Sequence, residues 1–182
     1  MPAAPARVLA LSVLAFFAGA TAGGEAAPAA RALTRGAPIT VGYPYAADCP
    51  EAGIAKRVDH WHMFTCNCTS YVAWALEANG QRIDWFVPGA MDAWNWPNVA
   101  RTAGFRIGRR PAVGDVAVWR ALDKPFGHVA YVTSVSANGR FVVGEYNYPS
   151  LEGLTRFVFD LRTSVATPGV VFIAVPRAER KP

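Results

Sequence analysis

Residues 69–79 (TSYVAWALEAN) carry apolar side chains at the spacing of an amphipathic helix. Val72 and Leu76 are four residues apart, so they fall on one face of the predicted helix. Thr69 can cap the start of this helix, and Gly80 can end it. This segment is the strongest helix prediction in the chain.

A second helical pattern covers residues 90–103. Trp94, Val99 and Ala103 can line its packed side, and Pro97 is expected to break it because proline cannot donate a backbone hydrogen bond. The two predicted helices therefore occupy the first half of the domain.

After Pro111 the pattern changes to short runs of β-branched and aromatic residues that are separated by turn residues. Five such runs predict one antiparallel sheet of about five strands: Val116–Trp119, His128–Val135, Arg140–Tyr146, Thr155–Leu161 and Val170–Val175. Helices followed by a sheet indicate an α+β fold, and 182 residues suffice for one such domain.

The N-terminus has the order of a secretory signal. Arg7 precedes an apolar run from Val8 to Phe17, and Ala20-Thr21-Ala22 fits an A-x-A cleavage site, so we expect residues 1–22 to be removed. The apolar run is about half of the roughly 20 residues that span a bilayer, so stable membrane insertion is not expected after cleavage. The remaining chain is predicted to comprise a flexible linker (23–42), a catalytic domain (43–176) and a disordered tail (177–182).

Basic residues outnumber acidic ones, with 18 Lys and Arg against 13 Asp and Glu. The net charge of +5 falls to +4 when Arg7 leaves with the signal. The arginines are scattered rather than gathered in a dense run, which argues against nucleic acid as the partner and favours a polyanionic cell wall. We expect a secreted or periplasmic monomer.

The chain has three cysteines and three histidines, and Cys68 stands directly before the first predicted helix. Unpaired backbone N–H groups and the helix dipole stabilise a thiolate at such a position, which suits a nucleophile. A buried structural cysteine or half of a disulfide is the alternative for Cys68. In an oxidising compartment, a disulfide between Cys49 and Cys66 would leave Cys68 free.

His128 opens the second predicted strand and is the candidate base. A two- or four-residue loop around Asn138-Gly139 pairs residues whose numbers sum to 277 or 275, which places His128 on the same face as Glu145 and Asn147. In the 275 register, His128 lies opposite Asn147 with Glu145 on the diagonal, about 7 to 8 Å away. An acid or amide there can orient the imidazole towards a thiol. A three-residue loop would reverse this parity.

A zinc site is the rival interpretation of the same residues. His60 and His62 form one chelating pair, and Cys66 and Cys68 form another. The two pairs are unusually close in sequence, and thiols tend to be oxidised in exported proteins, so we expect no metal.

Four ordered motifs resemble the CHAP family of cysteine, histidine-dependent amidohydrolases and peptidases: residues 68–74 (CTSYVAW), 114–119 (GDVAVW), 127–132 (GHVAYV) and 144–148 (GEYNY). The resemblance extends from about Tyr43 to Val175. It implies a papain-like α+β fold related to the NlpC/P60 superfamily. It also implies a Cys68 nucleophile, a His128 base, and Glu145 and Asn147 as the groups that orient the histidine.

Family members mostly cleave peptidoglycan, and their chemistry needs no cofactor, although some bind calcium. The resemblance therefore implies hydrolysis of peptidoglycan amide bonds through a thioester, either as an N-acetylmuramoyl-L-alanine amidase or as an endopeptidase. A non-catalytic wall-binding module is the alternative. The backbone N–H of Cys68 and the side chain of Asn67 are the candidate oxyanion donors, and Trp119 and Tyr71 are the candidate substrate contacts.

Overall fold

The computed structural model describes residues 41–49, 57–122, 124–148 and 157–179. All of them belong to one compact unit, Thr34–Pro182, while a second unit, Met1–Leu33, lies outside the described residues. The predicted signal segment and most of the predicted linker therefore lie outside them as well. Within the described residues, two α-helices and a six-stranded antiparallel sheet confirm the α+β prediction, with one strand more than expected.

The sheet has the strand order β1-β6-β2-β3-β4-β5. Its strands are β1 (Arg106–Gly108), β2 (Val116–Trp119), β3 (His128–Val135), β4 (Arg140–Tyr146), β5 (Phe159–Val165) and β6 (Val170–Ala174). The helices are α1 (Cys68–Ala78) and α2 (Trp96–Thr102), and short 3₁₀ turns cover Ala46–Asp48 and Ala93–Asn95.

Helix α1 packs its apolar face on β3 and β4. It begins one residue earlier than predicted, because Asn67 rather than Thr69 is the N-cap and Cys68 is the first helical residue. Gly80 adopts a left-handed φ of 66° just beyond the helix and donates its N–H to the Glu77 carbonyl, which closes the last turn as predicted. The start of α1 therefore carries the candidate thiol on a helix anchored in the core.

The second predicted helix is shorter than expected. A 3₁₀ turn leads into α2, and Pro97 lies in the first turn of α2 instead of breaking a longer helix. Proline is tolerated there because the first N–H groups of a helix have no intrahelical partner. Trp94 is 38% exposed, so its predicted place on the packed side is wrong, whereas Val99 and Ala103 pack against the core.

Strands β2, β3 and β4 have the predicted bounds, whereas the two edge strands differ from prediction. Three residues of β1 are too few to show a period of two, and β1 is defined by its pairing with β6. Strand β5 lies four residues later than predicted because it pairs with β4 along the whole of Arg140–Tyr146. This displacement brings Arg162 into a paired strand.

The hairpin between β3 and β4 contains two irregularities that cancel. Its loop has three residues between Ser136 and Arg140, so the predicted loop length is wrong and the pairs next to the turn sum to 276. A bulge then leaves Thr133 unpaired, and beyond it Tyr131 pairs with Gly144, which restores a sum of 275. The register at the far end of the hairpin is therefore the predicted one.

The two faces of the sheet bury separate clusters. One face packs against α1 and includes Val129, Tyr131 and Tyr146. The other buries a smaller cluster: Ala117, Ala130, Val132, Phe141, Val143, Val170 and Phe172. Alternation along β3 and β4 places His128 and Glu145 at the end of this second face.

Two predictions about the ends of the chain meet described residues. Arg177 forms a bridge with Gln81, and the Ala178 N–H donates to the Gly80 carbonyl at 2.9 Å, so the predicted disordered tail is wrong for these residues. In the part of the chain that the structure describes, no helix is long and apolar enough to cross a membrane.

Candidate active site

Cys68 is a free thiol at the first position of α1, with 9% of its surface exposed. The preceding residue, Asn67, has an extended backbone and no side-chain capping bond. Its carbonyl accepts the first helical bond, from the Tyr71 N–H at 3.1 Å. The N–H groups of the first helical residues, Cys68 among them, therefore have no partner within the helix.

A disulfide joins Cys49 to Cys66, with 5.4 Å between their Cα atoms. This confirms the predicted pairing and leaves Cys68 as the free thiol. Cys66 has a left-handed φ of 64°, and its N–H donates to the Tyr43 hydroxyl at 3.0 Å, so the turn before Cys68 is fixed on both sides. The oxidised Cys66 is no longer a thiolate ligand, which removes it from the rival zinc interpretation.

His128 is the first residue of β3 and is 1% exposed. Its Nε2 atom lies 2.8 Å from Oε2 of Glu145, and it also hydrogen-bonds with Cys68. Because Nε2 is held by the carboxylate, Nδ1 is the ring nitrogen left for the thiol. Gly127 precedes His128 with a φ of 76°, and a Cβ there would lie 2.6 Å from the Trp94 nitrogen, so this position requires glycine.

The electrostatics of the site favour a charged imidazole. Burial by itself lowers the pKa of His128, but the charge and hydrogen bond of Cys68, followed by those of Glu145, outweigh burial and raise this pKa from 6.5 to about 9. Burial raises the pKa of Glu145, yet the hydrogen bonds from His128 and Arg162 and their positive charges lower it below its ordinary value. At neutral pH the pair is therefore an imidazolium beside a carboxylate.

Arg162 of β5 is a member of this cluster that the sequence did not single out as a site residue. Its Nε donates to Glu145 Oε1 at 2.5 Å, and its Nη2 donates to Oε2 at 3.0 Å. Its guanidinium carbon lies 4.8 Å from the ring centre of Trp119 and 4.1 Å from that of Tyr148. The missed signal was the position of β5, since the predicted strand stopped at Leu161.

Asn147 has a different hydrogen bond from the one expected of a histidine-orienting group. Its Nδ2 donates to Asn67 Oδ1 at 2.7 Å, whereas Glu145 holds His128. Its left-handed φ of 54° is a conformation that asparagine tolerates, and it follows directly on β4. The structure thus links Asn147 to the residue before the thiol rather than to the imidazole.

The two candidate substrate contacts lie in different surroundings. Tyr71 is fully buried in an aromatic cluster with Tyr43, Trp74 and Tyr146, so it offers no surface to a substrate and that prediction is not supported. Its role in the structure is packing. Trp119 is partly exposed, and its ring centre lies 6.0 Å from that of His128.

The arrangement as a whole places a thiol, an imidazole and a carboxylate in series, which is a set of groups that can perform acyl transfer. Across the described residues, no group of three His, Cys, Asp or Glu side chains could hold a metal ion. The His60 imidazole lies on the surface instead, with its Nε2 3.4 Å from a carboxylate oxygen of Glu77.

Known proteins resemble part of this chain. A protein of Staphylococcus aureus named as a probable autolysin is 37% identical over 84 residues, which are 45% of this chain and 28% of that protein. A staphylococcal secretory antigen of the same species is 42% identical over 57 residues, which are 31% of this chain and 21% of the antigen. The solved structure of an N-acetylmuramoyl-L-alanine amidase from the same species is similar with a TM-score of 0.50 and 27% identity, covering 60% of this chain and 30% of the amidase.

The chain spans less than half the length of the curated relatives that it matches. The family model of the CHAP domain matches residues 58–147, a region that contains the thiol of Cys68, the imidazole of His128 and the carboxylate of Glu145. The resemblance predicted from the four sequence motifs is thereby confirmed, and the chain belongs to the CHAP domain family.

Proposed function

We propose that the protein is an exported cysteine hydrolase that cleaves amide bonds in peptidoglycan. The observation that carries the proposal is the contact of a free thiol, at the start of α1, with a buried histidine that a carboxylate holds from its other side. A structural cysteine has no need of this arrangement. Thiol hydrolases typically place a nucleophile, a base and an orienting group in this order.

In the proposed mechanism, Cys68 attacks and His128 moves the proton. Since the pKa of His128 is raised to about 9, the imidazole is a base strong enough to take the proton of the thiol as the sulfur attacks. The sulfur bonds to the amide carbon, and collapse of the tetrahedral intermediate breaks the C–N bond as His128 protonates the leaving amine. Water, deprotonated by His128, then hydrolyses the thioester and releases a carboxylic acid.

The oxyanion of the tetrahedral intermediate needs donors beside the sulfur. The Cys68 N–H is proposed as one donor, because the first N–H groups of α1 lie outside the helical ladder. Asn67 is proposed as the other. Asn67 Oδ1 accepts a hydrogen bond from Asn147, which fixes the Asn67 amide beside the thiol, and Asn67 Nδ2 is the proposed donor to the oxyanion. In this assignment Asn147 acts through Asn67 rather than through His128.

Peptidoglycan is proposed as the substrate because the relatives are named as an autolysin and as an amidase of the muramoyl–alanine bond. The signal-like residues 1–22 and a relative named as a secretory antigen support export to the cell exterior or periplasm. Trp119 is proposed as a substrate contact, since its ring is partly exposed beside His128. The protein is proposed to act as a monomer without a cofactor.

Turbidity loss of purified peptidoglycan tests the proposal. The wild-type protein should lyse the sacculi, whereas Cys68→Ala and His128→Ala should not. His60→Ala is the matched histidine control, because His60 is exposed and pairs with Glu77, and it should keep full activity. Equal lysis by wild type and Cys68→Ala would exclude the thiol mechanism.

Two further measurements define the activity. Mass spectrometry of the soluble products identifies the bond: free muramyl lactyl groups with new alanine N-termini report an amidase, and shortened stems or opened cross-bridges report an endopeptidase. Co-sedimentation with sacculi covers the non-catalytic alternative. If the wild-type protein binds sacculi but releases no product, the hydrolase proposal is rejected in favour of a wall-binding module.

A further inference from the structure

Glu145 is a carboxylate with no exposed surface, and three N–H donors converge on it. One comes from His128 and two from Arg162. A buried charge is costly unless it is paired and hydrogen-bonded, so the ionised state of Glu145 depends on its two cationic neighbours. Of these, His128 is the group that exchanges a proton during the proposed reaction. Arg162 is the neighbour whose charge stays constant.

The guanidinium of Arg162 has aromatic neighbours as well as its ion pair. Its carbon lies 4.8 Å from the ring centre of Trp119 on β2 and 4.1 Å from that of Tyr148, which follows β4. Both rings also contact His128, at 6.0 Å for Trp119 and 5.5 Å for Tyr148. The same two aromatic side chains therefore fix the arginine and the imidazole with respect to each other.

The strand register explains how Arg162 reaches the site. Glu145 pairs directly with Asp160 of β5, and Arg162 pairs with Val143, so Arg162 reaches Glu145 along the diagonal on one face of the sheet. Asp160, directly opposite Glu145 in the ladder, has an exposed side chain. A two-residue shift in β5 would exchange the cation for this like charge.

We propose that Arg162 is a positioning residue of the thiol–imidazole site: it keeps Glu145 ionised and fixed in the plane that holds the His128 ring towards Cys68. This inference rests on the proposed function and deepens it. It adds a fourth member, from a strand outside the region matched by the family model, to the series Cys68, His128 and Glu145.

The charges that meet at this place fix the direction of the expected effect. They are Cys68 from α1, His128 from β3, Glu145 from β4, and Arg162 and Asp160 from β5. With a thiolate and an imidazolium, Cys68, His128, Glu145 and Arg162 together have no net charge, and Asp160 is exposed to solvent. Removing the guanidinium leaves them with one net negative charge, so each protonation is favoured. The reactive thiolate should then appear at higher pH.

The test is the rate at which iodoacetamide alkylates Cys68 as a function of pH, which needs no peptidoglycan. Arg162→Gln should move the midpoint of the reactivity curve upwards by about one pH unit, or about tenfold in rate below the midpoint. Arg162→Lys retains the positive charge but cannot donate the paired hydrogen bonds of a guanidinium. Its midpoint should therefore stay close to that of wild type, while its lytic turnover falls. Arg140→Gln is the matched control, because Arg140 is exposed at the start of β4 and should behave as wild type.

The outcomes separate this inference from the proposed function. If wild type lacks a histidine-dependent reactivity curve, as judged against His128→Ala, the thiol–imidazole site itself fails. If wild type shows that curve and Arg162→Gln shows the same midpoint, the inference about Arg162 is overturned. If Arg162→Gln lowers the alkylation rate equally at every pH while thermal unfolding shows a folded protein, Arg162 has only a structural role and the inference is likewise overturned.

Discussion

Replacing Glu145 by glutamine tests how the buried charges hold the site together. The substitution keeps the shape of the side chain but turns one carboxylate oxygen into an NH₂ group. Three N–H groups approach the carboxylate, two of them at Oε2 and one at Oε1, so at least one of them would face another donor. The guanidinium of Arg162 also loses its counter-ion.

The magnitude follows from burial. Removing one partner of a fully buried ion pair costs about 3 to 5 kcal/mol. Glu145 has no exposed surface, which argues for a cost in this range, while Arg162 is 20% exposed and the amide keeps one acceptor, which argues for its lower end. We expect Glu145→Gln to lower the free energy of unfolding by about 3 kcal/mol, or the melting temperature by about 10 °C. The pKa of His128 should fall, because Glu145 is one of the groups that raise it.

Urea unfolding measures the first effect, and NMR titration of the imidazole measures the second. Asp160→Asn is the matched control, since it neutralises the exposed carboxylate directly opposite Glu145 and should change stability by less than about 0.5 kcal/mol. Adding Arg162→Met to Glu145→Gln should cost less than the sum of the single changes, because it removes the unpaired cation. A Glu145→Gln variant with wild-type stability and an unshifted imidazole titration would refute the reasoning.

The imidazole, the disulfide and the glycine before β3 each give a further measurable outcome. The pKa of His128 is raised from 6.5 to about 9 on folding, so its stabilisation is complete below pH 6.5 and lost as the pH rises through 9. Urea titrations should therefore show that wild type is more stable than His128→Gln at low pH and that this difference in unfolding free energy disappears in that interval. A difference that does not change with pH would contradict this. Replacing Cys49 and Cys66, which are 17 residues apart, by alanine should lower the unfolding free energy by about 3 kcal/mol, as calorimetry or urea titration would show. Gly127→Ala should destabilise more than Gly139→Ala in thermal melts, because both have a left-handed φ but only the first new Cβ meets backbone, at 2.6 Å; equal losses would contradict the steric argument.

Much of the fold could be predicted because its central elements have strong local patterns. Helix α1 has apolar residues at helical spacing and a glycine at its end, and β2 to β4 have the predicted bounds. The edge strands lack such local signals. Strand β1 has three residues, and β5 takes its position from pairing with β4 rather than from its own alternation. The positions of the two edge strands are therefore set by pairing across the sheet and not by their own hydrophobic periodicity.

The pairing of β3 with β4 near the site was predicted correctly, although neither the loop length nor the bulge was. The Asn-Gly signal indicated a two- or four-residue loop, whereas the structure has three residues there. Taken alone, that loop would put His128 and Glu145 on opposite faces of the sheet. The unpaired Thr133 reverses the parity again, and a bulge of this kind leaves no mark in the alternation of a strand whose second half is exposed.

The roles of Asn147 and Arg162 depend on geometry that residue types alone do not contain. Asn147 was placed on the correct side of the hairpin, but its left-handed backbone follows the end of β4 and its amide binds Asn67 instead of the imidazole. Arg162 was counted only as one of the scattered arginines, because the sequence shows how many arginines are present and not which one meets a buried carboxylate. Burial makes that pairing consequential: Glu145 can stay ionised without solvent only where cations surround it. The search for site residues in such a sheet should therefore include the strand that pairs with the acid, since its register places Arg162 on the diagonal from which the guanidinium reaches Glu145.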